Sequence, residues 1–125
     1  MAAAAASFFF GAVWYMVLSS PWMAASGVPQ DADGKPFNAL NPRPYILSAV
    51  SAVLVAWMMR HVLAASDVTS VSGGAIAGFG IGAFLIVPWM MMNNEFGGKP
   101  LQLTVIDGGY AVIGCTLMGT VLMLF

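Results

Sequence analysis

Four long apolar stretches, set apart by the few charges in the sequence, constrain this chain more than any other feature. They cover approximately residues 2–21, 44–63, 73–92 and 101–125. A helix that crosses a bilayer needs about 20 residues at about 1.5 Å rise each, and every stretch is about that long. Hydrophobic residues make up 60% of the chain and charged residues 7%, against about 25% charged in ordinary soluble domains. A soluble fold of 125 residues would leave much of that apolar surface in water. Lipid is the simpler solvent.

The first stretch has no Lys or Arg ahead of Lys35, so it lacks the basic start of a cleaved signal peptide. Its "VWY" end reads, with Trp22, as part of an interfacial aromatic belt, and a retained span is expected. Pro44 suits the first turn of the second span. Residues 26–43 form a proline- and turn-rich loop unsuited to a long helix or a central strand. "ASDVTSVS" joins spans two and three, with Asp67, Ser70 and Ser72 as helix-cap candidates. "NNEFGGKP" joins spans three and four. Short links make antiparallel neighbours. The expected fold is therefore one all-α integral membrane domain over residues 1–125, with four transmembrane helices arranged as two antiparallel hairpins.

The hairpins carry matching segments. "PWM" occurs at Pro21–Met23 and again at Pro88–Met90, "GKPFN" (Gly34–Asn38) parallels "GKPLQ" (Gly98–Gln102), and Tyr45 and Tyr110 follow. An even number of spans per unit would make this a parallel internal repeat. Lys35, Arg43 and Lys99 fall on loops one and three, opposite Arg60, which places those loops in the cytoplasm and both termini outside.

Several classes of chemistry lose their footing. A net charge of −1 offers no clustered basic face for nucleic acid. One cysteine, Cys115, and one histidine, His61, supply neither a disulfide nor a zinc spacing. No Ser/His/Asp or Cys/His set can be assembled, and "DADG" lacks the further ligands of an EF-hand. No catalytic residue, metal site or cofactor is expected. A haem or pigment on His61 is the one cofactor reading to weigh, and a histidine at a span end is more simply a headgroup contact.

The third span carries Gly74, Gly78 and Gly82 at four-residue spacing, on one helical face. Each interior glycine costs about 1 kcal/mol relative to alanine, so the row points to close backbone packing. Ala52 and Ala56 on span two, and Ala111, Cys115 and Gly119 on span four, are the matching small-residue faces. Pro88 removes a backbone hydrogen bond and crowds the carbonyl of Phe84, so a kink is expected there.

Asp107, in "LTVIDGGYAVIGC", is the acid that stands inside an apolar run. Gly108 to Phe125 is 18 residues, or about 27 Å of helix, so the carboxylate can sit at a membrane boundary. Deeper, it needs a partner, and Arg43, Lys99 and Tyr45 at the same end are the candidates. A structural anchor and a proton or ion site are both open readings.

"FGAVWY" followed by "SSPWM", then "NNEFGGKPLQL" leading into "VIDGGY" and a final apolar run, resembles the membrane proteins grouped as domain of unknown function 1761. The similarity runs in order along nearly the whole chain. It implies a compact four-helix membrane protein and brings no catalytic residues. The functional expectation is a non-enzymatic protein that acts through helix packing, as an accessory or structural subunit of a larger membrane complex. Its partners would then be the bilayer and either other membrane subunits or further copies of itself. The alternative is a homo-oligomeric channel or carrier for protons or a small solute, built on Asp107.

Overall fold

Away from water, each backbone N–H and C=O must find a partner inside the chain, and a helix provides those partners within one segment. Of the 93 backbone hydrogen bonds, 74 lie inside helices. A computed structural model describes all residues, Met1–Phe125. It is all-helical: α1 Ala2–Val17, α2 Ser19–Ser26, α3 Pro42–Ala65, α4 Val71–Phe96 and α5 Leu101–Leu122. Three of these, α3, α4 and α5, are each long and apolar enough to cross a membrane. The number rises to four when α1 and α2 are taken as one broken span.

The first stretch differs from the expected single span. It breaks at Leu18, and α2 leaves α1 at 83°. The cause is Pro21, whose effect falls one turn upstream of itself. Proline has no N–H for the carbonyl four residues back, and its ring crowds that group. That carbonyl belongs to Val17, the last residue of α1. Gly27, at φ +72°, then closes α2 in a left-handed cap.

Pro88 acts otherwise. The turn before it, Gly82–Ile86, widens to a π-helix in which the Val87 N–H donates to the Gly82 carbonyl. Phe84, whose carbonyl the ring would crowd, lies inside that wider turn. The axis stays continuous as one 26-residue helix. The expected kink is a π turn.

Caps set the other boundaries. The Asn41 side chain accepts from the Arg43 N–H at 3.0 Å, with Pro42 and Pro44 in the first turn, so α3 starts two residues earlier than Pro44. Ser70 Oγ accepts from the Gly73 N–H at 3.0 Å and starts α4. Pro100 stands at the start of α5.

α5 is the central helix and touches all four others. Against α4 the contact is backbone to backbone: Gly74 meets Gly119, Gly78 meets Cys115 and Thr116, and Gly82 meets Ala111 and Val112. The descending order on α5 makes the pair antiparallel. A methyl group on Gly82 would lie 2.6 Å from the Val112 Cα, and one on Gly78 would lie 2.8 Å from the Cys115 carbonyl carbon. Ala52 and Ala56 face elsewhere, joining Ala3, Ala4, Met59, Cys115 and Met118 where α1, α3 and α5 meet.

Only 21 of 125 residues are buried, most of them small. Large apolar side chains point outward: Leu54, Trp57, Ile76, Phe84 and Trp89 are all more than half exposed. A soluble core would have the reverse arrangement. This one suits a solvent as apolar as the side chains themselves.

Candidate functional site

The site is built where α1 and α2 cross α5. Three glycines make room for it. Tyr110 packs over Gly11, Trp14 over Gly109, and Ser7 over Gly114. An added Cβ would lie 2.7 Å from the Tyr110 ring, 2.8 Å from the Trp14 ring and 2.7 Å from Ser7 Oγ, respectively. Ser7, Gly11 and Trp14 share one face of α1 by helical spacing, as do Ile106, Tyr110 and Gly114 on α5. The "IDGGY" of the sequence is thus one side of a fitted joint.

Polar atoms complete the joint. Trp14 Nε1 donates to the Ile106 carbonyl at 3.0 Å, and Tyr110 OH donates to the Ser7 carbonyl at 3.4 Å. Asp107 Oδ1 accepts two hydrogen bonds, from Tyr15 OH at 2.8 Å and from Trp22 Nε1 at 3.2 Å. Tyr15 belongs to α1 and Trp22 to α2, so one carboxylate oxygen fastens both sides of the 83° break to α5. The Tyr15 ring lies edge-on to Trp22 at 5.8 Å and to Tyr110 at 5.4 Å. No side-chain oxygen or nitrogen is sealed away without a partner. Oδ2 of Asp107 takes no hydrogen bond from the protein.

The residues expected beside Asp107 sit elsewhere. Lys99 Nζ donates to the Ser26 carbonyl at 2.8 Å, tying the end of α2 to the start of α5. Tyr45 OH donates to the Ala39 carbonyl at 2.9 Å. Arg43 contributes its backbone N–H to the Asn41 cap. The physical reason lies in α3, whose buried residues all fall between Ala52 and Leu63. Its first turns, with Arg43 and Tyr45, are exposed and leave the carboxylate to the aromatic donors of α1 and α2.

Sequence reasoning assigns those donors to a membrane belt. The signal that could have found them is chemical: an indole N–H or a phenol held away from water needs an acceptor, and Asp107 offers one within an apolar run. Several other polar groups are satisfied by near neighbours in the chain. Thr116 and Thr120 donate to carbonyls one turn back on α5, and Asn94 Nδ2 donates to Thr104 Oγ1 at 3.0 Å. His61 Nδ1 bonds the Trp57 carbonyl at 2.9 Å, its ring 4.5 Å from the Trp57 ring. No three His, Cys, Asp or Glu side chains converge in a way that could hold a metal ion.

No curated protein matches the chain. No solved structure matches it either. A family model described as "Protein of unknown function (DUF1761)" matches residues 1–123. With a match over nearly its whole length, the chain belongs to that family of proteins of unknown function.

Proposed function

We propose that this is a four-span membrane protein that acts through its helix surfaces, as a structural or accessory subunit of a larger membrane assembly. One observation carries the reading. The polar side chains are largely engaged within the chain: Asp107 fastens α1 and α2, while Lys99 and Arg60, at exposed positions, each hold a backbone carbonyl. What remains facing outward along α3 and α4 is an apolar surface. Membrane helices associate by close packing of such surfaces rather than through a hydrophobic driving force.

The arrangement within the bilayer takes α1 with α2 as the first span. The Lys99–Ser26 hydrogen bond supports loops one and three sharing a face, and the basic residues there favour the cytoplasm. A parallel internal repeat has support in two places. Each "PWM" follows a disturbed helical turn, the break at Leu18 or the π turn at Gly82–Ile86. Gly34 and Gly98, each opening a Gly-Lys-Pro segment, have φ of +74° and +70°.

Gentle solubilisation from the native membrane, with measurement of the particle mass, tests the function. A large particle containing other subunits is expected, and a monomer or a small homo-oligomer would overturn the reading. The unpartnered Oδ2 of Asp107 favours the second reading, a proton or small-solute pathway. For that reading, Asp107→Asn would abolish flux through reconstituted protein.

A further inference from the structure

About 22 Å along α5 from Asp107, at the opposite end of the bundle, α1, α3 and α5 leave a groove of about 410 Å³ between them. That lies within the roughly 300–1,000 Å³ typical of small-molecule sites. Its lining is apolar, with the buried Ala3, Ala4 and Ala56 beside Val53, Trp57 and Val121. Arg60 is the one charged side chain that borders it.

Arg60 is fixed by a single contact. Its Nη1 donates to the Leu122 carbonyl at 2.9 Å, where α5 ends. A guanidinium has five N–H donors in a rigid fork, so most of them stay available beside the groove. A freely snorkelling arginine needs neither the anchor nor the adjoining channel. Phosphate is a good match for the remaining donors, because guanidinium and phosphate oxygens form charge-assisted, often bidentate, hydrogen bonds. An acyl chain is a good match for the groove.

We propose that this groove binds one anionic phospholipid, with an acyl chain between α1, α3 and α5 and the phosphate on Arg60. The inference rests on the chain lying in a bilayer and is independent of whether the protein is a subunit or a transporter. Retention in the membrane pellet after alkaline carbonate washing tests that premise separately.

The binding test uses the full chain in detergent, titrated with phosphatidylglycerol and with phosphatidylcholine of the same acyl composition, and bound lipid is read by native mass spectrometry. The wild type is expected to prefer phosphatidylglycerol about fivefold, the scale of one basic contact. Arg60→Gln removes the preference, Arg60→Lys keeps part of it, and Arg43→Gln, outside the groove, leaves it intact. Val53→Trp, which fills the groove, lowers retention of both lipids and provides the test if Arg60→Gln does not assemble. Equal binding of the two lipids by the wild type overturns the proposal. So does a preference that survives Arg60→Gln, or retention unaffected by Val53→Trp.

Discussion

Pro21 and Pro88 stand in the same tripeptide, Pro-Trp-Met, yet the helices around them respond in opposite ways. At Pro21 the helix breaks and turns by 83°. At Pro88 it takes up one extra residue as a π turn and continues. Proline imposes the same demand in both places, relief of the carbonyl four residues back. The neighbours decide how the demand is met. α4 lies backbone to backbone on α5 through Gly74 and Gly78 ahead of the π turn and Gly82 at its start, and the Val87 side chain packs on Gly108 after it. Clamped on both sides, it cannot bend. α1 is free to turn after Val17, and Asp107 holds the turned segment in place by bonding Tyr15 before the break and Trp22 beyond it.

The contrast can be broken from either side. Gly78→Leu, placed against the α5 backbone, should have the largest effect, a loss of about 3 kcal/mol or more in reversible unfolding in mixed micelles. Gly80→Leu, on the same helix with open space around it, should cost little. Equal effects would mean that the α4–α5 contact is not what keeps α4 straight.

Asp107→Leu comes next. It leaves the Tyr15 hydroxyl and the Trp22 indole without an acceptor, for an expected loss of about 2–3 kcal/mol. Spin labels at Val13 and Ala24 should then show a broader spread of distances, because Pro21 keeps the break while Asp107 no longer fixes its angle. Asp107→Asn keeps an acceptor oxygen and should cost about 1 kcal/mol, with the label distance unchanged.

Pro21→Ala sharpens the comparison. With Asp107 in place the bend should persist and stability should change by less than about 1 kcal/mol. Straightening should need Asp107→Leu as well. The smallest effect is expected from deleting Phe84 in a Pro88→Ala background. Gly82 and Val87 both face α5 across a five-residue step, and an ordinary α-helical step of four would serve once the proline is gone. That variant should unfold within about 1 kcal/mol of the wild type, whereas deleting Phe79 would throw Gly74 and Gly82 out of register.

The helical architecture was readable from the sequence because apolar length and missing charge report the solvent directly. Asp107 was readable for the same reason, as a charge out of place. Its partners were not. Tyr15 and Trp22 lie 92 and 85 residues away along the chain, and nothing local separates an aromatic belt residue from a hydrogen-bond donor. The glycine row pointed to a close contact, but its direction, toward α5 rather than the alanines of α3, depends on how three helices share one neighbour. The effect of Pro88 was located, at Phe84, but not its form, a π turn in place of a kink, because the form depends on how α5 clamps α4. Pro21 reads as the end of a span, while the break it causes falls upstream, after Val17.

The break after Val17 also sets a length. α1 has 16 residues, or about 24 Å of helix, while α4, with 26 residues, reaches about 39 Å. A hydrocarbon layer of about 30 Å matches the apolar part of α4, because Asn93, Asn94 and Glu95 occupy its last turn, whereas α1 is shorter than that layer. If α1 crosses a bilayer, the lipid beside it has to thin, at a free-energy cost for each ångström, and that cost falls when a short neighbour docks beside α1.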